Sequence, residues 1–328
     1  MSRFLCFAVL LGGLLVVSPA LAKGPTYTDP DKTDADFAFQ GEYSGKIKDD
    51  QGNEQSVGVQ VIALGGGKFH AVGYPGGLPG DGWNKQEKIE VDGELKDGAV
   101  TFEKDGGKGV LKDGALTIIA SENELGKLSK VSRSSPTLGA KPPAGAVVLF
   151  DGKSADAFQG GKVGDDGLLL EGSTSKQKFG SYKLHLEFRT PYQPEDRGQG
   201  RGNSGVYMQG RYEVQMLDSF GLEGKNNECG GIYSVKDCDV NMCLPPLTWQ
   251  TYDIDYTAAK YDDAGKVTSP AKITVEHNGV VIHKDVALPT DRGTTAAPVK
   301  PGPEPGPIYL QNHGNPVRYR NIWLVEKK

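Results

Sequence analysis

The chain is poor in several features that would each decide a protein class. After its first two dozen residues no stretch approaches the roughly 18 apolar residues of a membrane-crossing helix, so no helical span is expected there. Basic runs are also missing. With 37 Lys and Arg against 42 Asp and Glu, and a net charge of −5, the surface offers no footprint for nucleic acid or an anionic membrane. Cysteine is scarce, four in 328 residues. The segment "GGGK" at 65–68 lacks the Ser/Thr that completes a phosphate-binding loop, and no helix follows it, so it reads as a glycine turn between strands.

Glycine, by contrast, is abundant. Its 46 residues are about twice the usual share of ~7%, and many sit in Asp-Gly and Gly-Asn pairs. Short strands joined by tight turns are the expected outcome. "LKDGAVTF" at 95–102 and "LKDGALTI" at 111–118 nearly repeat, each with a hairpin turn at its centre, and "EHNGVVIH" at 276–283 carries another.

Residues 1–22 have the features of a secretory signal peptide: Arg3, the apolar run "FLCFAVLLGGLLVV", and "ALA" before a cleavage point after Ala22. Cys6 precedes the apolar core, which argues against a lipoprotein. The expectation is a secreted or periplasmic protein with no membrane span. Cys229, Cys238 and Cys243 would then meet an oxidising compartment, where one disulfide and one spare thiol are expected. Their spacing lacks a C-x-x-C pair and an interleaved His, so it gives no support to zinc.

The sequence divides into a polar, loose 23–36, a small all-β domain over 37–133 (sandwich or barrel), a Pro/Gly/Ala linker over 134–146, and a second domain over 147–328. Frequent strands in the second domain predict a jelly-roll β-sandwich. "TAAPVKPGPEPGP" at 295–307 must form a surface loop, because proline cannot complete a ladder.

The stretch "NSGVYMQGRYEVQMLD" at 203–218 predicts a hairpin. A loop at 208–210 would set Tyr207 opposite Arg211, Gly205 opposite Glu213 and Asn203 opposite Gln215. One face then collects Asn203, Tyr207, Arg211, Glu213 and Gln215; the other collects Ser204, Val206, Tyr212, Val214 and Met216, which suits a core. Near the C-terminus Tyr309, Gln311 and His313 share a strand face, with His313 at its end. His185, His277 and His283 lack such company and read as structural. Glu213-x-Gln215-x-x-Asp218 has the spacing of the E-x-D-x-x-E pattern of laminarinase-like retaining glycosidases on concanavalin-like sandwiches, with Gln and Asp replacing two of the acids.

"VVLFDGK", "GNSGVYMQGRYEVQMLD", "GGIY", "WQTYDI" and "GPIYLQNHGNPVRYRNIWL", in this order, resemble the 3-keto-disaccharide (3-keto-glycoside) hydrolase domain family over about 147–328. The resemblance implies a jelly roll and a carbohydrate substrate whose glucosyl C3 is already a ketone. It also implies C2 deprotonation, elimination at C1 and hydration. By this analogy Glu213 or His313 is the base, with Asp218 as acid/base partner. Asn203, Arg211 and Gln311 hold the ketone oxygen, Gln215 and Tyr207 bind hydroxyls, and Tyr233 and Trp249 stack on a sugar face. A divalent metal ion could polarise the ketone, with Glu213, Asp218 and His313 as suitable ligand types, but no spacing demands one. Where this sequence has Phe158, the family usually has Trp. The alternatives are a non-catalytic carbohydrate-binding protein and a laminarinase-like retaining glycosidase.

Overall fold

A computed structural model describes residues 24–49 and 51–327; the expected signal peptide lies outside them. The described chain is all-β, with three short 3-10 turns and no α-helix.

The first unit is a closed eight-stranded antiparallel barrel. Its strands are Gly41–Lys48, Glu54–Gly65, Lys68–Pro75, Ile89–Lys96, Ala99–Lys104, Gly107–Lys112, Ala115–Ala120 and Asn123–Val131. The last pairs with the first, Gly45 opposite Leu128, which leaves no free edge. The Asp-Gly turns fall where the sequence places them. Asp97, Asp105 and Asp113 take φ of 49–50°, and each is followed by a glycine at 75–79°. Closing a sheet of alternating residues puts Tyr43, Val61, Phe69, Val100 and Leu111 inside, where they are fully buried.

Residues 24–36 are not loose. Tyr27 and Tyr192 bond backbone to backbone in both directions at 2.9 Å, and Phe37 packs on Tyr192, whose ring belongs to the barrel's core cluster. The stretch expected to act as a linker is docked too. Thr137 Oγ1 donates to Asp253 at 2.6 Å, Gly139 N donates to Glu187 at 2.6 Å, and Ala140 O accepts from Trp323 Nε1.

The second unit is a two-sheet sandwich. One sheet orders Phe158–Gln159, Ser173–Ser175, Tyr309–Leu310, Ser204–Met208 and Tyr212–Met216. The other has seven strands, centred on Arg318–Glu326, Tyr182–Arg189 and Gln250–Thr257. Alternation assigns the faces. Leu184, Leu186 and Phe188 point inward against Val206, Val214 and Met216, and all six are buried. Each such side chain contributes about 1.5–3 kcal/mol by leaving water. Lys183, His185 and Glu187 take the opposite face. The Asn278-Gly279 turn forms as expected, with φ of 51° and 78°.

The expected disulfide is absent: Cys229, Cys238 and Cys243 are free thiols. Each sulfur has a different polar neighbour. Cys229 lies 3.3 Å from Tyr252 Oη, Cys238 donates to Cys229 O, and Cys243 faces Leu217 O. Cys229 and Cys243 also hydrogen-bond to each other as thiols, without a disulfide.

Candidate active site

The hairpin forms with a displaced turn. Tyr207 pairs with Glu213 and Gly205 with Gln215, so the loop is Gln209-Gly210-Arg211 rather than 208–210. Gln209 adopts φ of 53° beside Gly210 at 65°. Its amide ties the turn down, donating to Phe179 O while accepting from Tyr256 Oη. Moving the loop by one residue shifts the pairing by two, and a shift of two preserves the faces. Asn203, Tyr207, Glu213 and Gln215 therefore share one side, as the alternation requires.

That side floors a polar cavity of about 140 Å³. Asn203, Glu213, Gln215, Tyr233, Gln311 and His313 line it, together with Gln199, Thr295 and Ala296. This is smaller than the roughly 300–1,000 Å³ typical of sites for drug-sized ligands, which suits one sugar ring rather than several.

Glu213 is the centre of the arrangement. Its side chain lies across Gly205, where a Cβ would collide with the carboxyl, so the missing side chain makes the space the acid occupies. Its backbone N–H donates to Thr294 Oγ1 at 2.9 Å. Tyr207 Oη donates to Glu213 Oε2 at 2.7 Å, and Gln311 Nε2 donates to Tyr207 Oη at 3.0 Å. With its amide oriented to satisfy its neighbours, Gln215 donates to Ser204 O at 2.7 Å and to Glu213 Oε1 at 3.1 Å. Glu213 is 2% exposed. Burial pushes its pKa up to about 8, with the Tyr207 hydrogen bond acting in the opposite direction. No Lys or Arg lines the cavity.

The other polar groups converge from separate elements. Asn203 Nδ2 donates to Gln199 O at 2.9 Å, which ties the floor to the 3-10 turn Gly198–Gly200. Gln311 N bonds Gly205 O at 2.9 Å, and its side-chain Oε1 is buried with no partner. Such an acceptor is costly unless a donor reaches it. Tyr309 packs its ring on Tyr207 at 5.3 Å, and exposed His313 stands at the rim.

Three expected residues lie elsewhere. Asp218 forms an ion pair with Arg201 at 2.6 Å and faces a different cleft, shared with Ile62 and Leu64 of the barrel. It lies beyond the strand end, where alternation no longer fixes direction. Arg211 sits in the hairpin turn, and its guanidinium donates to Lys300 O, Gln209 Oε1 and Glu304 O. Trp249 is covered by two cations, with Arg320 at 4.0 Å and Arg189 at 5.1 Å from its ring. Glu213, Asp218 and His313 are thus not gathered as metal ligands. Among the described residues no three His, Cys, Asp or Glu side chains are placed to share an ion.

Gln199, Thr295 and Ala296 were missed because they belong to loops with no periodic pattern. The proline-rich segment, expected as a surface loop, folds over the hairpin and closes one side of the cavity. Thr294 N donates to Arg211 O, and Thr295 Oγ1 lies 3.0 Å from Ser234 Oγ.

Comparison with known proteins supplies a context for this geometry. A crystal structure described as a putative glycosyl hydrolase from Parabacteroides distasonis ATCC 8503 is 33% identical, with a TM-score of 0.52, over 56% of this chain and 85% of that one. Two further structures from the same organism, described likewise, match at TM-scores of 0.41 and 0.40 with 17% and 21% identity. They cover 56% of this chain and 94% and 99% of their own. No curated protein matches. Residues 145–325 match the family described as the 3-keto-alpha-glucoside-1,2-lyase-like domain. The chain belongs to the 3-keto-alpha-glucoside-1,2-lyase-like family.

Proposed function

We propose that the chain cleaves glycosides whose glucosyl ring already carries a ketone at C3. The observation that carries the reading is Glu213: a buried carboxyl, pushed up to about 8, and the only acid lining the cavity among the described residues. Ordinary glycosidases need two carboxyls, about 5–5.5 Å apart for retention or about 6.5–9.5 Å for inversion. Here Asp218 is committed to Arg201 on another cleft. A ketone at C3 removes that requirement, because it acidifies the proton on C2 and a single base suffices.

In this scheme Glu213 takes the C2 proton and the C2–H electron pair forms an enolate with its charge on the C3 oxygen. The enolate collapses, breaks the C1–O bond and leaves a C1=C2 enone. The departing oxygen takes a proton from His313 at the rim or from Tyr207, which is already hydrogen-bonded to the base. Water then adds its oxygen to C1 and a proton to C2, giving the free 3-keto sugar. A carboxyl with a pKa near 8 is a far stronger base once ionised than an ordinary Glu, which matches a carbon acid. Amide groups of Asn203, Gln215 and Gln311 are the candidates for holding the enolate oxygen and hydroxyls, and the unpartnered Gln311 Oε1 suits a sugar hydroxyl.

The test is incubation of the protein with matched 3-keto and unoxidised disaccharides in D2O, followed by NMR. Release of 3-keto-glucose with deuterium at C2, and no reaction of the unoxidised sugar, is the expected result. Cleavage of the unoxidised sugar at a similar rate would falsify the reading. Binding of either sugar without cleavage would instead make the domain a carbohydrate-binding module. Export after cleavage at Ala22 is a further part of the proposal, checked by N-terminal sequencing of the mature protein.

A further inference from the structure

The barrel holds a second cavity, separate from the sugar site and of opposite chemistry. Its half toward Tyr43, Val61 and Leu111 is filled by fully buried side chains. The other half encloses about 460 Å³, walled by Ile47, Val57, Val91, Phe102 and Ile118. Of these only Phe102 is fully buried; the rest are half-buried because nothing covers their inner surface. Well-packed interiors have no such apolar space, and an eight-stranded barrel is wide enough to hold one small ligand.

Two inward positions widen the cup. Gly73 and Gly109 both line it, and neither has a positive φ. A Cβ at Gly109 would meet Leu116 at an ordinary 3.4 Å, and one at Gly73 would meet Ile89 at 3.6 Å. Backbone strain and crowding therefore do not demand glycine at either site; its effect there is to leave room. Lys104 continues the inward alternation of Val100 and Phe102 and reaches the mouth, where its ammonium donates to Glu90 O at 3.0 Å. Lys108 stands beside it on the lip, paired with Glu103 at 3.2 Å. No carboxylate lines the cavity.

We propose that this cup binds a single aliphatic chain ending in an anion, of the fatty-acid type, with the chain in the barrel and the anion at Lys104. Each methylene transferred into the wall adds about four-fold in affinity. Calorimetric titration of the full mature protein with dodecanoate, tetradecanoate and hexadecanoate, below micelle formation, should show saturable binding that tightens about sixteen-fold from each acid to the next, which is two methylenes longer. The alcohol of equal length should bind more weakly, and Lys104→Glu should abolish the preference. Gly109→Leu and Gly73→Val each take up the space and should weaken binding about ten-fold or more; if one loses its fold by circular dichroism, the other decides. Absence of saturable binding overturns the proposal. So does unchanged affinity in a folded filled variant, or association with phosphatidylglycerol vesicles without uptake of a monomeric chain. Equal affinity for acid and alcohol overturns the assignment of the anionic end.

Discussion

Two buried glutamates on opposite sheets of the sandwich invite comparison. Glu213 is 2% exposed on the last strand of its sheet, and Glu187 is 1% exposed on a central strand of the other. Burial pushes each carboxyl up, but only at Glu213 does it prevail, reaching about 8. At Glu187 hydrogen bonds from His185, Asn321, Arg320 and Gly139 N–H overcome it and hold the pKa at about 2. The same residue type at similar depth is a carboxyl held protonated near neutrality in one place and a fixed anion in the other. The decisive difference is the donor count. Glu187 is surrounded by cations and amides that clip the 134–146 stretch onto the sheet, whereas Glu213 faces a cavity with a tyrosine and neutral amides.

The sharpest way to break this contrast is to neutralise each acid in turn. Glu213→Gln keeps the shape and the Tyr207 contact but removes the base, and should lower kcat/KM on a 3-keto glucoside by about 10²–10⁴-fold. Its melting temperature should hardly fall. In the parent, a base with a pKa of about 8 is protonated below that value, so kcat/KM should rise with pH and level off above about 8. A parent profile that stayed flat from pH 6 to 9.5 would contradict the role assigned to Glu213.

Next in size is Gly205→Ala. The added methyl would occupy the space in which the Glu213 carboxyl lies, forcing the acid to turn. Misplacing a catalytic group by about 1 Å costs up to ~10²-fold, so a ten- to hundred-fold loss of turnover is expected. Retention of full activity would show that the carboxyl need not lie across that strand.

Much of this contrast is legible in the sequence and part of it is not, for a physical reason. Strand alternation has a period of two, so Asn203, Tyr207, Glu213 and Gln215 share a face even though the turn sits one residue away from its expected place. Asp-Gly and Asn-Gly pairs mark turns because their backbone requirement is local. Partners set by the fold leave no such trace. Asp218 finds Arg201, Trp249 finds Arg320, and Arg211 is held by carbonyls of the proline-rich segment. Gln199, Thr295 and Ala296 reach the cavity from loops whose path is decided by packing. His185 was read as structural without its partners, and the structure supplies them in Asp253 and Glu187.

On the opposite sheet, Glu187→Gln should leave turnover intact and cost stability. It leaves Arg320 without its anion and His185 with Asp253 alone, and weakens the acceptor for Gly139. Arg320 is partly exposed, so water recovers some of the loss, and about 2–3 kcal/mol is expected. Denaturant titration measures it. In the parent, the contribution of Glu187 is present above its unfolded value of about 4.5 and is lost as pH falls toward about 2.

The smallest effect separates the two sheets by the sign of their pH response. Burial would lower the His185 pKa, but its hydrogen bonds and attraction to Asp253 and Glu187 raise it to about 8. A histidine whose folded value exceeds its unfolded one stabilises the protein fully below about 6.5, and that contribution disappears as pH rises through about 8. His185→Gln keeps a polar group on the sheet but cannot carry the charge, so the parent's advantage should be about 1–2 kcal/mol at pH 6 and negligible at pH 9.5. Glu213 also loses stability over that range, because its buried carboxyl must ionise. The double variant Glu213→Gln/His185→Gln should therefore lack the fall in stability that these two groups add between pH 6 and 9.5. What remains is the opposite slope of His277 and His283, which burial holds neutral with pKa values of about 3 and 4, so that stability rises as pH passes about 6.5. Melting curves for the four proteins test this, and a stability difference between parent and double variant that stayed constant from pH 6 to 9.5 would mean that these two groups do not carry the pH dependence assigned to them.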